Sequence, residues 1–96
     1  MFIRVTVLEF DPVNSPEVER FWREQSRPSA LSQDGNLGAR AFRVVHTPGQ
    51  MIMVGEWETT EQAETYLQSP EHDTLMAGLA PYLKGGLVRY VGESID

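Results

Sequence analysis

Cysteine is missing from the 96-residue chain, which excludes disulfide staples, thiol chemistry and any zinc site built on thiolates. Histidine is nearly missing. His46 and His72 are the only two, and neither has a second histidine at ligand spacing, so no preformed metal site is expected. Basic charge is also short, with 8 Lys and Arg against 14 Asp and Glu and a net charge of -6. The basic residues are scattered among acids rather than gathered in a stripe, so nucleic acid is not an expected partner. No apolar run approaches the roughly 18 residues of a membrane span. The opening strand Phe2–Leu8 carries a charge inside it and lacks the basic flank and cleavage site of a signal peptide. No membrane association and a cytoplasmic location are the expectation. The phosphate-binding, metalloprotease and serine-hydrolase motifs G-x-G-x-x-G, P-loop, H-E-x-x-H and G-x-S-x-G are all absent.

What remains is enough for one domain over residues 1–96 and too little for two. Residues 2–10 read as a strand with both faces largely apolar: Phe2, Arg4, Thr6, Leu8 and Phe10 on one, Ile3, Val5, Val7 and Glu9 on the other. After a turn at Asp11–Asn14, Ser15-Pro16 predicts an N-cap and first helical residue, and Val18, Phe21, Trp22 and Gln25 form one stripe. Pro28 should end or kink this helix near Ser26 or Arg27, leaving a broken helical turn and a loop from Pro28 to Gly38 with Asp34-Gly35-Asn36 at its tip. Ala39–His46 and Met51–Trp57 read as a hairpin around the turn Thr47-Pro48-Gly49-Gln50. Thr59 with Gln62 forms a capping box for the next helix. Ser69-Pro70 opens another helix that Pro81 ends, and Leu87–Val91 is the last strand.

The order β-α-β-β-α-β, with its second helix broken in two, predicts an α+β ferredoxin-like fold with a four-stranded antiparallel sheet and helices on one face. Strands apolar on both sides need cover on the second face as well. A symmetric homodimer, two sheets packed into a barrel-like core, is the expected cover.

An apolar and aromatic set gathers on the third strand and the segments around it: Phe42, Met51, Met53, Trp57, Tyr66, Met76, Leu79, Tyr82 and Tyr90. It can be ordinary core, with methionines filling gaps, or the lining of an apolar pocket beneath the helices. Trp57, Tyr66, Tyr82 and Tyr90 carry polar handles that want partners if buried. Arg43 and Arg89 lie inside strands, where each charge must reach an edge, an ion pair or an anionic ligand. His46 reads as a strand-edge residue and His72 as a polar residue of a helix's first turn.

The segment Gly55-Glu56-Trp57-Glu58-Thr59, followed by Ala63, Tyr66-Leu67-Gln68-Ser69-Pro70-Glu71-His72, resembles the signature of antibiotic biosynthesis monooxygenase domains. Asn36-Leu37-Gly38-Ala39-Arg40-Ala41-Phe42-Arg43-Val44 is similar to that family's second strand. The likeness runs from about Ile3 to Tyr90. It implies a dimeric α+β barrel and, by analogy with aromatic oxygenases, a cofactor-independent monooxygenase that oxidises a small phenolic or quinol-type aromatic with dioxygen. By the same resemblance Trp57, Tyr66 and Arg89 are the catalytic candidates. Phe42, Met51, Met53, Met76, Leu79, Tyr82 and Tyr90 are the candidates for substrate contact. Haem-degrading relatives keep an asparagine on the first strand and a histidine deeper in the last helix. Here the first strand has none, that helical position falls near Met76, and His72 comes nearly one turn too early. No cofactor is implied. The alternative reading is a non-catalytic homodimer that binds a small hydrophobic metabolite or serves a structural role. A closed cavity of roughly 300 Å³ or more under Trp57 would favour a ligand.

Overall fold

The computed structural model describes residues 1–96 and has the expected ferredoxin-like order. Strands β1 (Phe2–Glu9), β2 (Asn36–Arg43), β3 (Gln50–Trp57) and β4 (Val88–Glu93) form one antiparallel sheet in the order β2-β3-β1-β4. The helices α1 (Ser15–Phe21), α2 (Arg27–Leu31), α3 (Thr60–Leu67) and α4 (Pro70–Leu79) all belong to the two crossovers.

In the first crossover the expected interruption before Pro28 takes the form of a widened turn rather than an end to the helix. α1 passes through one widened turn, Trp22–Ser26, into α2, with Pro28 in its first turn. The Arg27 N–H donates to the Trp22 carbonyl, five residues back. A π-type turn makes room for a ring that would otherwise clash with the preceding turn. Ser15 is not the cap either: Asp11 accepts from the Val13 N–H and caps a short 3₁₀ turn, Pro12–Asn14, that leads into α1. In the second crossover both predicted caps are present, Thr59 accepting from the Gln62 N–H and Ser69 from the His72 N–H.

β2 starts and stops three residues earlier than its sequence pattern suggests. Val44 and Thr47 are taken up by turn hydrogen bonds, Thr47 N–H to Val44 O and Gln50 N–H to Thr47 O. Gly49 turns the chain at φ +83°, where a Cβ would stand 2.3 Å from the Phe10 carbonyl oxygen. At the other end, Asn36 and Gly38 join the sheet through a bulge.

The register sorts side chains into rows across the sheet. On the helix-covered face these are Ala39–Gly55–Arg4–Val91, then Ala41–Met53–Thr6–Arg89, then Arg43–Met51–Leu8. Leu8, Phe10, Val18, Met51 and Leu79 form a buried apolar cluster at one end, and Trp57, Ala63 and Tyr66 a second at the other. The opposite face carries Phe42–Ile52–Val7–Val88 and Arg40–Val54–Val5–Tyr90 with nothing packed on it. Only 13 of 96 residues are buried for that reason.

Candidate functional site

Between the two clusters lies a pocket of about 70 Å³. Its floor is a row of small residues and one charge: Ala39, Gly55 and Arg4 on adjacent strands. Gly55 makes room here, because a Cβ would stand 3.0 Å from the Trp57 indole nitrogen, a tight contact. Trp57 lies 2% exposed and packs its ring 5.7 Å from that of Tyr66. Met53, Leu75, Met76 and Leu79 supply apolar wall, and the widened helical turn aims Trp22 and Ser26 at the same space. The volume falls short of the roughly 300 Å³ of a closed ligand cavity, and the flexible Met53 and Met76 side chains are among its lining residues.

The polar groups converge on Arg4. Its Nη2 donates to His72 Nε2 at 3.1 Å, while its Nε is buried with no partner. An arginine can only donate, so the imidazole is neutral and carries its proton on Nδ1. Burial, with Arg4 and Arg89 nearby, pushes His72 down to about 4. Burial and the neighbouring Arg89 lower Arg4 to about 10, which leaves it cationic at neutral pH. His72 lies in the first turn of α4, as expected, and is there a buried member of the site; it also meets Tyr66 edge-on at 5.4 Å.

The Tyr66 hydroxyl lies 2.9 Å from Ser29 Oγ, and Ser29 in turn donates to Glu71 Oε2 at 3.0 Å. An ionised carboxylate only accepts, so the chain has a direction: Tyr66 donates to Ser29, and Ser29 to Glu71. Burial raises the Tyr66 pKa above that of a free phenol. Gln33 Nε2 holds the exposed end by donating to the same Glu71 oxygen.

Of the residues singled out from sequence, Met53, Trp57, Tyr66, Met76 and Leu79 meet at this pocket. Arg89 stands at its rim on β4, where Nη2 approaches the Met76 sulfur at 3.7 Å. Met51 is committed to the apolar cluster at the far end, and Tyr82 packs against that cluster. Phe42 and Tyr90 are on the other face of the sheet, 51% and 63% exposed. Arg43 reaches the surface and pairs with Glu19 at 2.7 Å. Arg4, Ser29 and His72 were missed. Only Arg4 left a signal, as the one charge on a β1 face otherwise made of Phe2, Thr6, Leu8 and Phe10. No three His, Asp or Glu side chains gather where they could hold a metal ion.

Residues 1–78 match the family model described as antibiotic biosynthesis monooxygenase. No curated protein sequence matches the chain significantly. Among solved structures, a Nitrosomonas europaea protein provisionally described as an antibiotic biosynthesis monooxygenase superposes with TM-score 0.88 at 9% identity, over 100% of both chains. A Deinococcus radiodurans protein of the same description gives 0.88 at 15% identity, over 100% of this chain and 94% of that one. A conserved protein from Methanosarcina mazei gives 0.83 at 15% identity, over 96% and 91%. Identities this low speak for the shared fold, and the family model, covering most of the chain, speaks for descent: the chain belongs to the antibiotic biosynthesis monooxygenase family.

Proposed function

We propose that the protein is a cofactor-independent monooxygenase that converts a small phenolic or quinol-type aromatic to a quinone. The observation that supports this is the juxtaposition of an apolar wall, the Trp57 and Tyr66 rings and a cationic floor at Arg4. The overall change balances without an external reductant. One ring C–H and the hydroxyl proton are lost, one oxygen of dioxygen becomes the new carbonyl, and the other leaves as water. The phenolate passes an electron to dioxygen, the two radicals combine at carbon, and the resulting hydroperoxide eliminates water.

The chain's own residues favour the first step. Tyr66 Oη has lone pairs free to accept the substrate's proton as it passes its own to Ser29 Oγ, and Ser29 passes one to the exposed Glu71. Arg4 stabilises the phenolate in a site from which most water is excluded, where a fixed cation acts strongly. Arg89 holds the oxygen nearest β4, and Trp57 stacks on the ring. Met53 and Met76 must rotate to admit it.

Oxygen uptake with hydroquinones and polycyclic phenols, measured with and without added haem or flavin, tests this reading. Consumption without cofactor is expected. Trp57→Phe, verified as folded by circular dichroism, should lower turnover at least about tenfold through lost orientation. Unchanged turnover removes Trp57 from the mechanism.

The working form is a homodimer. The uncovered face bearing Val5, Val7, Phe42, Ile52, Val54, Val88 and Tyr90 is the kind of contiguous apolar surface that a soluble monomer rarely leaves bare. Sedimentation should give a dimer, and Val54→Lys a monomer; a monomeric parent protein overturns the assignment.

A further inference from the structure

Two cations meet at the pocket, Arg4 in its floor and the exposed Arg89 at its rim, and no acid lines it. Arg4 and Arg89 are diagonal neighbours on adjacent strands of the helix-covered face, a separation of roughly 7–8 Å. Burial and then the charge of Arg89 lower the Arg4 pKa, and burial lowers that of Arg89. Yet the ion pairs of this acidic protein lie elsewhere, on Arg23, Arg40 and Arg43. Arg4 has only the neutral His72 as partner and an unpaired buried Nε. Arg89 has only the Met76 thioether, a weak acceptor. The acids nearest the pocket do not answer the charge. Glu71 is exposed and engaged by Ser29 and Gln33, Asp73 is exposed on the first turn of α4, and Tyr66 stays protonated.

A buried guanidinium without a counter-charge is costly, and a carboxylate is the group whose geometry answers two arginines best. We infer that the substrate is itself an acid, and that Arg4 and Arg89 receive a carboxylate on the aromatic substrate rather than only its phenolic oxygen. This deepens the oxygenase reading and rests on the same pocket. A carboxylate outcompetes the thioether for Arg89 and so draws it off Met76. Met76 is then free to rotate, which enlarges the space beside Trp57. Charge recognition and pocket opening are one event.

Titration calorimetry with 4-hydroxybenzoate and 4-hydroxybenzamide, nearly equal in shape and different in charge, tests the inference. The acid should bind at least about tenfold more tightly than the amide. Arg4→Gln and Arg89→Gln should each erase most of that preference, and Arg20→Gln, on the exposed side of α1, should keep it. Arg89 lies at the surface end of the site, so its variant carries the test even if Arg4→Gln fails to fold. Equal affinity for acid and amide overturns the inference, as does no saturable binding of the acid at millimolar concentration. Equal competition by inorganic phosphate or chloride overturns it as well, since the arginines then hold any small ion. Oxygen uptake with neutral phenols is scored separately. Acid binding without oxidation fails the oxygenase reading alone, and oxidation of neutral phenols without acid preference fails this inference alone.

Discussion

The two ends of the helix-covered face use the same elements for opposite purposes. At one end Leu8, Val18, Met51 and Leu79 meet Phe10 in a dry cluster with no polar side chain among them. At the other, Trp57 and Tyr66, which cluster with Ala63, line a pocket together with Arg4, Thr6 and His72, and space is left over. Both ends draw on β1 and β3. The register assigns large apolar residues to one set of rows and Gly55, Ala39 and Arg4 to another. The first end supplies stability by volume, and the second gives some of it up to hold a charge and a cavity.

Substitutions can pull these two roles apart. Leu8→Ala, at the fully buried centre of the dry end, should cost about 2–5 kcal/mol in a denaturant titration. Binding and turnover in the folded fraction should change little; a comparable loss of binding would mean that the ends are not separable. Gly55→Ala acts at the other end, where its new methyl must displace the Trp57 indole. A cost of about 1–3 kcal/mol is expected, with turnover falling far more than stability.

The smallest effect is electrostatic. His72 takes up a proton near pH 6.5 when unfolded but only near 4 when folded. The unfolded chain therefore binds more protons between those values, so His72's contribution to stability is full above about pH 6.5 and is lost as pH falls toward 4. Glu19, held below the usual carboxylate range by its hydrogen bond to Arg43, adds a loss at lower pH. Melting temperature followed from pH 7 to 4 should fall in the parent protein and fall less in His72→Gln, with Leu8→Ala retaining the parent slope. Identical slopes in parent and His72→Gln would show that the imidazole is not the group that titrates.

Much of the fold could be read along the chain, because its signals are local. Ser69-Pro70 and Thr59 with Gln62 place two helix starts, and Pro48-Gly49 places the hairpin turn. The departures occurred where a local signal left more than one outcome open. Pro28 could end or kink the helix and a widened turn absorbed it, and Ala39–His46 was shifted by the hydrogen bonds of the following turn. Within the site, Trp57 and Tyr66 were legible as aromatics with polar handles. Tyr90 looked equivalent to them and Phe42 belonged to the same apolar set, because a composition of apolar residues does not say which face of the sheet each one meets.

The sequence by itself determined the element types, the two caps of the second crossover and the apolar periodicity, since these depend on backbone geometry and neighbours within a few residues. Tertiary structure alone decided that Arg4 of the first strand and His72 of the last helix share one low-dielectric space, with Arg89 of the last strand at its exposed rim. It also decided that Ser29 and Glu71, 42 residues apart, complete a hydrogen-bonded path from Tyr66 to the surface. Charge and proton relations act through space, and the strand register sets those distances.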